Sequence, residues 1–227
     1  LDDLSLAVEA GSLYGLLGPN GSGKTTTIEI LTGQRQPTAG TAEVLGVDPV
    51  ADPIEVRRRT GILPEREDPP SFLSPREYLA FVGEVRDLPD VDARIDRWAD
   101  RLEFRGVLDT LSADLSEGER QRVILAQTFL HDPDLVFIDE PLVNLDPLMQ
   151  EVVKDHLADY CAAGNTLFLS THFVAVAADL CTNVGIIADG RLVAEPDPAD
   201  LDGDRLLETF AREVEDAPTP DPAGEPR

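Results

Sequence analysis

The sequence predicts an α/β chain: a parallel sheet of short buried strands, interrupted by an inserted helical subdomain. Three observations predict it. Short apolar runs of strand length end in turn-forming or acidic residues, as buried strands do in a sheet covered on both faces. Helical stretches with their own start and stop signals alternate with those runs near both ends of the chain. Between residues 66 and 131, by contrast, strand signals are few and helical ones persist.

Leu4, Leu6 and Val8 alternate with polar or small residues before Ala10 and Gly11, which predicts a strand and a turn. Residues 13–17 form a short apolar strand that runs into a glycine-rich loop, and 25–32 form a helix stopped by Gly33. The stretch 41–47 is strand-like. Asp52 and Pro53 offer an N-cap and a first-turn proline to a short helix ending near Thr60, and 61–63 read as a brief buried strand. In the insertion, Ser74 and Pro75 open a helix carrying Tyr78, Leu79, Phe81, Val82 and Val85. Val91, Ile95, Trp98 and Leu102 then fall at helical spacing, so Trp98 is read as packing. A third helix follows Ser116, with Val123, Ala126, Phe129 and Leu130 on one side, and ends before Pro133.

The core resumes with an apolar strand at 135–138. Asp146 and Pro147 start a helix that Gly164 stops; a strand at 166–169 and a helix at 173–180 follow. Strands at 184–188 and 191–194 flank Asp189 and Gly190, the strongest short hairpin signal in the chain. The organisation expected is a core at 1–65 and 132–195, the insertion at 66–131, and an acidic, proline-rich extension at 196–227. Leu206, Leu207 and Phe210 are read as one docked helix of that extension, ahead of a disordered tail.

The net charge of -25 argues against unspecific binding to nucleic acid or anionic membrane surfaces. Lys24 and Lys154 are the two lysines, the other basic residues are arginine, and the acids are spread along the whole length. That pattern resembles a surface adapted to molar salt, where screening removes self-repulsion; circular dichroism showing equal stability in low and molar KCl would contradict it. Cys161 and Cys181 lie far apart with no CxxC, and are read as buried reduced thiols. No run approaches the about 18 apolar residues of a membrane span, and the N-terminus lacks the basic-then-apolar order of a secretory signal. A soluble, cytosolic protein is the expectation.

The chemistry begins at the glycine-rich loop. Gly18, Pro19, Asn20, Gly21, Ser22, Gly23, Lys24 and Thr25, with Thr26 behind them, fit GxxxxGK[ST] between a strand and a helix. Backbone N–H groups can turn inward around phosphate oxygens there, and the helix start adds its dipole. Lys24 can neutralise the β- and γ-phosphates, and the Thr25 hydroxyl can ligate Mg²⁺. Asp139, ending the apolar run 135–138, belongs at the carboxyl edge of the sheet as the carboxylate for Mg²⁺. Glu140 follows it and can act as general base on the attacking water. An acidic pair closing a strand is by itself an ordinary solvated feature; the loop beside it gives it meaning.

At this point the chain resembles one family, the ABC ATPases, from residue 1 to about 195. Residues 115–122, reading LSEGERQR, are similar to the LSGGQ signature, with Ser116 and Gly118 at a helix start. A serine in such a place is usually only an N-cap; its position shortly before the acidic strand makes the match specific. Residues 141–146, PLVNLD, resemble the D-loop, so Asp146 is implied to act across a dimer interface as well as to cap its helix. Ser170, Thr171 and His172 resemble the switch histidine at a strand end, which implies contact between His172 and the γ-phosphate, whereas His131 and His156 match nothing and are read as helix-end or surface residues. Glu65 occupies the Q-loop position, which implies a third ligand to Mg²⁺ and a contact to the nucleotide at the γ-phosphate.

The resemblance implies a P-loop NTPase core whose parallel sheet is joined by N-terminal antiparallel strands, ATP and Mg²⁺ as ligands, and a head-to-tail homodimer or heterodimer of nucleotide-binding subunits. It also implies integral-membrane transporter subunits as partners, with this chain peripheral on the cytoplasmic face of the cell membrane. Three departures stand out. Glu65 replaces the usual Gln, Glu117 a Gly and Glu119 a Gln, each adding negative charge near a phosphate site. The family's adenine-stacking aromatic would lie upstream of Leu1. The single-domain form and the signature look most like the ABC-2 type. Rival readings are an ABC ATPase without a transport role, a P-loop kinase and a non-hydrolysing module; the kinase leaves the signature and His172 unexplained.

Overall fold

The computed structural model describes residues 1–142 and 145–215; the tail expected to be disordered, and two positions of the 141–146 motif, lie outside the described residues. Six strands form one sheet: β1 (Leu13–Leu17), β2 (Thr60–Leu63), β3 (Leu135–Asp139), β4 (Thr166–Thr171), β5 (Asn183–Ala188) and β6 (Arg191–Ala194). Their order is β2-β3-β4-β1-β5-β6. All neighbours are parallel except β5 and β6. Along β1 the side chains alternate between two cores: Leu13 and Leu17 join one, Tyr14 and Leu16 the other. Burial on both faces is why these strands read as unbroken apolar runs.

The helices are α1 (Lys24–Leu31), α2 (Pro53–Arg59), α3 (Pro75–Val85), α4 (Val91–Arg101), α5 (Glu117–Phe129), α6 (Pro147–Ala162), α7 (Val174–Leu180) and α8 (Gly203–Glu215). Local chemistry sets their starts. Asp52 accepts from Glu55 N, Ser74 from Glu77 N, Ser116 from Glu119 N, and Asp146 from Leu148 N and Met149 N. Asp189 and Gly190 both take positive φ, the type I′ pattern that suits the twist of a two-residue hairpin.

Helices α3, α4 and α5 lie in sequence between β2 and β3, and their apolar residues share one continuous core with the sheet. Trp98 is buried and stacks on Phe129 at 5.6 Å between centroids, the packing role expected of it. Of the apolar residues of α3, Tyr78 and Leu79 are buried, whereas Phe81 and Val85 are 59% and 68% exposed. His156 departs from expectation. It is buried on α6 against Trp98 and Phe129 edge to face, at 4.9 and 4.6 Å, because it shares the inward face of α6 with Met149 and Val153. His131 lies just past the end of α5, as expected, with Nε2 3.1 Å from Thr60 O.

Two segments expected as strands carry no ladder. Leu4, Leu6 and Val8 are half-buried and pack on the second core, so the alternation is real, but residues 1–10 have no strand partner. The stretch 41–47 folds back on itself: Val44 N donates to Val47 O and Val47 N to Val44 O across Leu45 and Gly46, both with positive φ. Backbone groups spent in this tight turn are not available for a ladder. The antiparallel pair of the sheet is β5 with β6. In α8, Leu206 is buried, Phe210 packs partly on the core and Leu207 is exposed. Cys181 is buried, Cys161 is half-buried and both are free; burial raises both thiols, that of Cys161 to about 11.

Candidate functional site

Parallel register sets the site. β1 lies beside β4, and β4 beside β3, with Leu17 opposite Thr171 and Ser170 opposite Asp139. The loop after β1, the acids after β3 and His172 after β4 therefore leave the same carboxyl edge of the sheet as neighbours, where open α/β sheets bind ligands.

The loop wraps tightly. A Cβ on Gly18 would sit 2.3 Å from Ile187 O, so no other residue fits without a shift. Gly23 caps α1 at φ 111, a conformation open to glycine. Lys24 is buried, and its Nζ donates to Gly18 O at 2.8 Å and Pro19 O at 3.1 Å. Burial lowers its pKa, while Glu140, Asp139 and Glu65 pull it upward. The hydroxyl of Ser22, a residue 3% exposed, has no partner among the described residues. A buried hydroxyl inside a glycine-lined turn that also bears the Lys24 ammonium has the donors an anionic ligand such as a phosphate would use. Asn20 and Thr25 are exposed at its rim, Gly21 has φ 82, and Thr26 is half-buried behind it.

The carboxylates are held by their neighbours on β4. Asp139 Oδ2 accepts from Thr25 Oγ1 at 2.8 Å, and Oδ1 accepts from Ser170 Oγ. Glu140 is 7% exposed and has φ 53, a left-handed conformation that costs a glutamate about 1–3 kcal/mol. Its Oε1 accepts from His172 N at 2.9 Å and lies 2.6 Å from His172 Nδ1; Oε2 accepts from Thr171 Oγ1 at 3.1 Å. Oε2 thus keeps a lone pair for a further donor such as water.

Thr25 and Asp139 offer Mg²⁺ hard oxygen ligands already side by side. Among the described residues no group of three or more His, Cys, Asp or Glu could hold a metal. Mg²⁺ takes one or two protein oxygens and completes its shell with phosphates and water, and Thr25 and Asp139 are two such oxygens. Glu65 is half-exposed and pairs with Arg66 at 3.8 Å; no hydrogen bond joins it to Thr25 or Asp139, although its charge reaches Lys24.

Among the described residues no hydrogen bond or ion pair joins Ser116, Gly118 or Asp146 to this cluster. Ser116 and Gly118 lie at the start of α5, with the serine exposed. Asp146 caps α6 and pairs with Arg122 of α5 at 3.0 Å, so its carboxylate is engaged within its own chain. Sequence reasoning gave no role to Ser170, Thr171 or Arg122. The first two hold the site acids, and their place opposite β3 depends on a register that the sequence does not display.

A family model described as ABC transporter matches residues 1–143. A Nod factor export ATP-binding protein I from Cupriavidus metallidurans is 33% identical over 221 residues, covering 95% of this chain and 73% of its own length. The protein of the same name from Ralstonia nicotianae is 35% identical over 204 residues, covering 88% of this chain and 63% of its own length. A solved ATP-binding subunit of an ABC transporter superposes with a TM-score of 0.85 at 28% identity, over 93% of this chain and 92% of that one. A dimeric ATP-binding cassette in a post-hydrolysis state, bound to ADP and phosphate, gives a TM-score of 0.77 over 86% of this chain and 89% of that one; at 22% identity it speaks to the fold alone.

Proposed function

The chain belongs to the ABC transporter family, and on that premise we propose that it is the ATP-binding, ATP-hydrolysing subunit of a transporter, coupling ATP-driven dimer closure to a separate membrane subunit. One observation carries the reading. The phosphate cradle, the Thr25–Asp139 pair and the Glu140–His172 pair converge at one sheet edge, while Ser116 and Gly118 sit at a helix start with no bond to that cluster among the described residues. Each chain thus offers half a site twice over, and a head-to-tail pair completes both.

In that pair the cradle of one subunit holds the triphosphate, with Lys24 moving from the loop carbonyls to the β- and γ-phosphates. Thr25 and Asp139 would hold Mg²⁺, which neutralises developing phosphate charge. Glu140 orients the attacking water through Oε2 and accepts its proton, and His172 fixes the Glu140 carboxylate through Oε1. The helix start of the partner's α5 meets the γ-phosphate with Ser116 and Gly118. Glu65, on the segment between β2 and the insertion, lies within reach of the charge on Lys24 and links nucleotide state to α3–α5. We read 1–195 as the ATPase domain, with 66–131 as the element that passes motion to the membrane subunit. No helix of the described residues is long and apolar enough to cross a membrane.

The relatives are named for export; an exporter of the ABC-2 type, working at the cytoplasmic face in high salt, is the finer form of this proposal. The test is Glu140→Gln. It keeps shape and leaves Thr25 and Asp139 in place but removes the proton acceptor, so hydrolysis falls about 10²–10⁴-fold while ATP binding survives. Light scattering in Mg-ATP at molar salt should show a dimer for Glu140→Gln and a monomer without nucleotide. A variant that binds ATP normally and stays monomeric at high protein concentration refutes the composite site.

A further inference from the structure

The start of α5 contains an arrangement that the composite site does not require. Glu119 N donates to Ser116 Oγ at 3.3 Å, Ser116 N donates to Glu119 Oε2 at 2.8 Å, and Ser116 Oγ donates to that same oxygen at 2.7 Å. A serine hydroxyl has one proton. Given to Glu119, it is withheld from a phosphate oxygen, and the backbone N–H beside it is withheld as well. These bonds hold the Glu119 carboxyl below the usual carboxylate range, so the group is ionised at neutral pH. Glu117 adds a second acid in the same first turn.

We propose that Glu119 is a positioning residue that sets the ATP threshold for dimer closure, its carboxylate competing with the γ-phosphate on the opposite subunit for the donors of Ser116. The proposal rests on the composite-site reading above. In the isolated chain Glu119 stabilises the helix start, its carboxylate solvated by the donors of Ser116 and attracted by the charge of Arg122. When a triphosphate approaches the same start, two anions meet one hydroxyl, and the carboxylate must turn away for closure. A glutamine at 119 would still complete a capping box, because Ser-x-x-Gln serves as well as Ser-x-x-Glu. It would bring no charge and would hold the hydroxyl less firmly. Helix stabilisation and competition for Ser116 are therefore separable by one substitution. Charge opposition at this exposed place is also screened, since the Debye length falls from about 10 Å at 0.1 M salt to about 3 Å at 1 M.

The experiment compares Glu140→Gln with the double variant Glu140→Gln/Glu119→Gln. Light scattering reads the Mg-ATP concentration at half-maximal dimerisation across the KCl range in which both keep the same circular dichroism spectrum. The expected result is a midpoint about tenfold lower for the double variant at the low-salt end, the scale of one charge-assisted hydrogen bond. The gap should narrow toward molar KCl, with nucleotide affinity of the monomer unchanged. An equal or higher midpoint in the double variant overturns the proposal, as does a gap that does not respond to salt. If the parent Glu140→Gln forms no ATP-dependent dimer, the composite site fails and this proposal fails with it.

Discussion

Replacing His156 with phenylalanine should make the chain more resistant to acid, by an amount the packing around α6 dictates. The imidazole is 7% exposed, lies against Trp98, Phe129 and Tyr160, and neither ring nitrogen has a hydrogen-bond partner among the described residues. Burial, with the charge of Arg101 adding to it, lowers its pKa from 6.5 to about 4. The folded form therefore resists the proton that the unfolded chain accepts. Between pH 6.5 and 4 the unfolded state binds more protons, so stability falls as pH falls; above 6.5 the residue contributes no pH dependence. With these two pKa values the loss from pH 7.5 to 5 is about 2 kcal/mol, approaching about 3 kcal/mol below pH 4.

Phenylalanine keeps an aromatic ring for the edge-to-face contacts and takes up no proton. Urea unfolding of both proteins at constant high KCl, at pH 7.5 and pH 5, measures the difference. The variant should gain about 2 kcal/mol on the wild type as the pH drops. His131, whose pKa burial also lowers to about 4, titrates in both proteins and cancels from the comparison. A stability difference that is the same at both pH values would refute the assignment of His156 as buried and neutral.

Two further outcomes concern the site. Lys24→Ala removes the ammonium next to the cradle and should weaken Mg-ATP binding about a hundredfold and abolish hydrolysis, because Lys154, the other lysine, lies on α6 paired with Glu151 and Asp179; wild-type affinity in a titration with a fluorescent nucleotide would remove the phosphate-loop assignment. Glu65→Gln should keep or raise steady-state ATPase activity, since it removes a negative charge that acts on Lys24 and preserves side-chain reach; a loss of about a hundredfold would show that the carboxylate takes part in catalysis.

Much of this fold is legible because its elements begin with residues that have one inexpensive use. Asp52, Ser74, Ser116 and Asp146 each accept the backbone hydrogen bond that their place before a helix suggests. Asp189 and Gly190 make the hairpin their pair encodes. What is not legible depends on a distant partner. The alternation of Leu4, Leu6 and Val8 marks a packed face, but alternation is silent on whether a second strand lies alongside. A histidine reads as polar, yet His156 follows Met149 and Val153 at helical spacing and goes inward with them, so periodicity outweighs polarity there. The roles of Ser170 and Thr171 come from β4 lying beside β3, a relation fixed by the sheet and absent from either segment alone.

The same contacts bear on how ATP could drive closure. In the isolated chain nearly every group assigned to chemistry already has a protein partner: Lys24 with Gly18 and Pro19, Asp139 with Thr25 and Ser170, Glu140 with Thr171 and His172, Ser116 with Glu119, Asp146 with Arg122. The buried hydroxyl of Ser22 has none among the described residues. Binding a triphosphate then largely exchanges hydrogen bonds, and an exchange contributes far less than the sum of the new contacts suggests. The difference between open and closed states is small by the same reasoning, and a small difference is what loss of one phosphate can reverse. A site preloaded with strong unpaired donors would bind ATP more tightly and release the closed pair more slowly. Internal pairing of the catalytic groups is in this sense part of the motor: it keeps closure dependent on the γ-phosphate, and it makes one substitution at Glu119 sufficient to move the threshold.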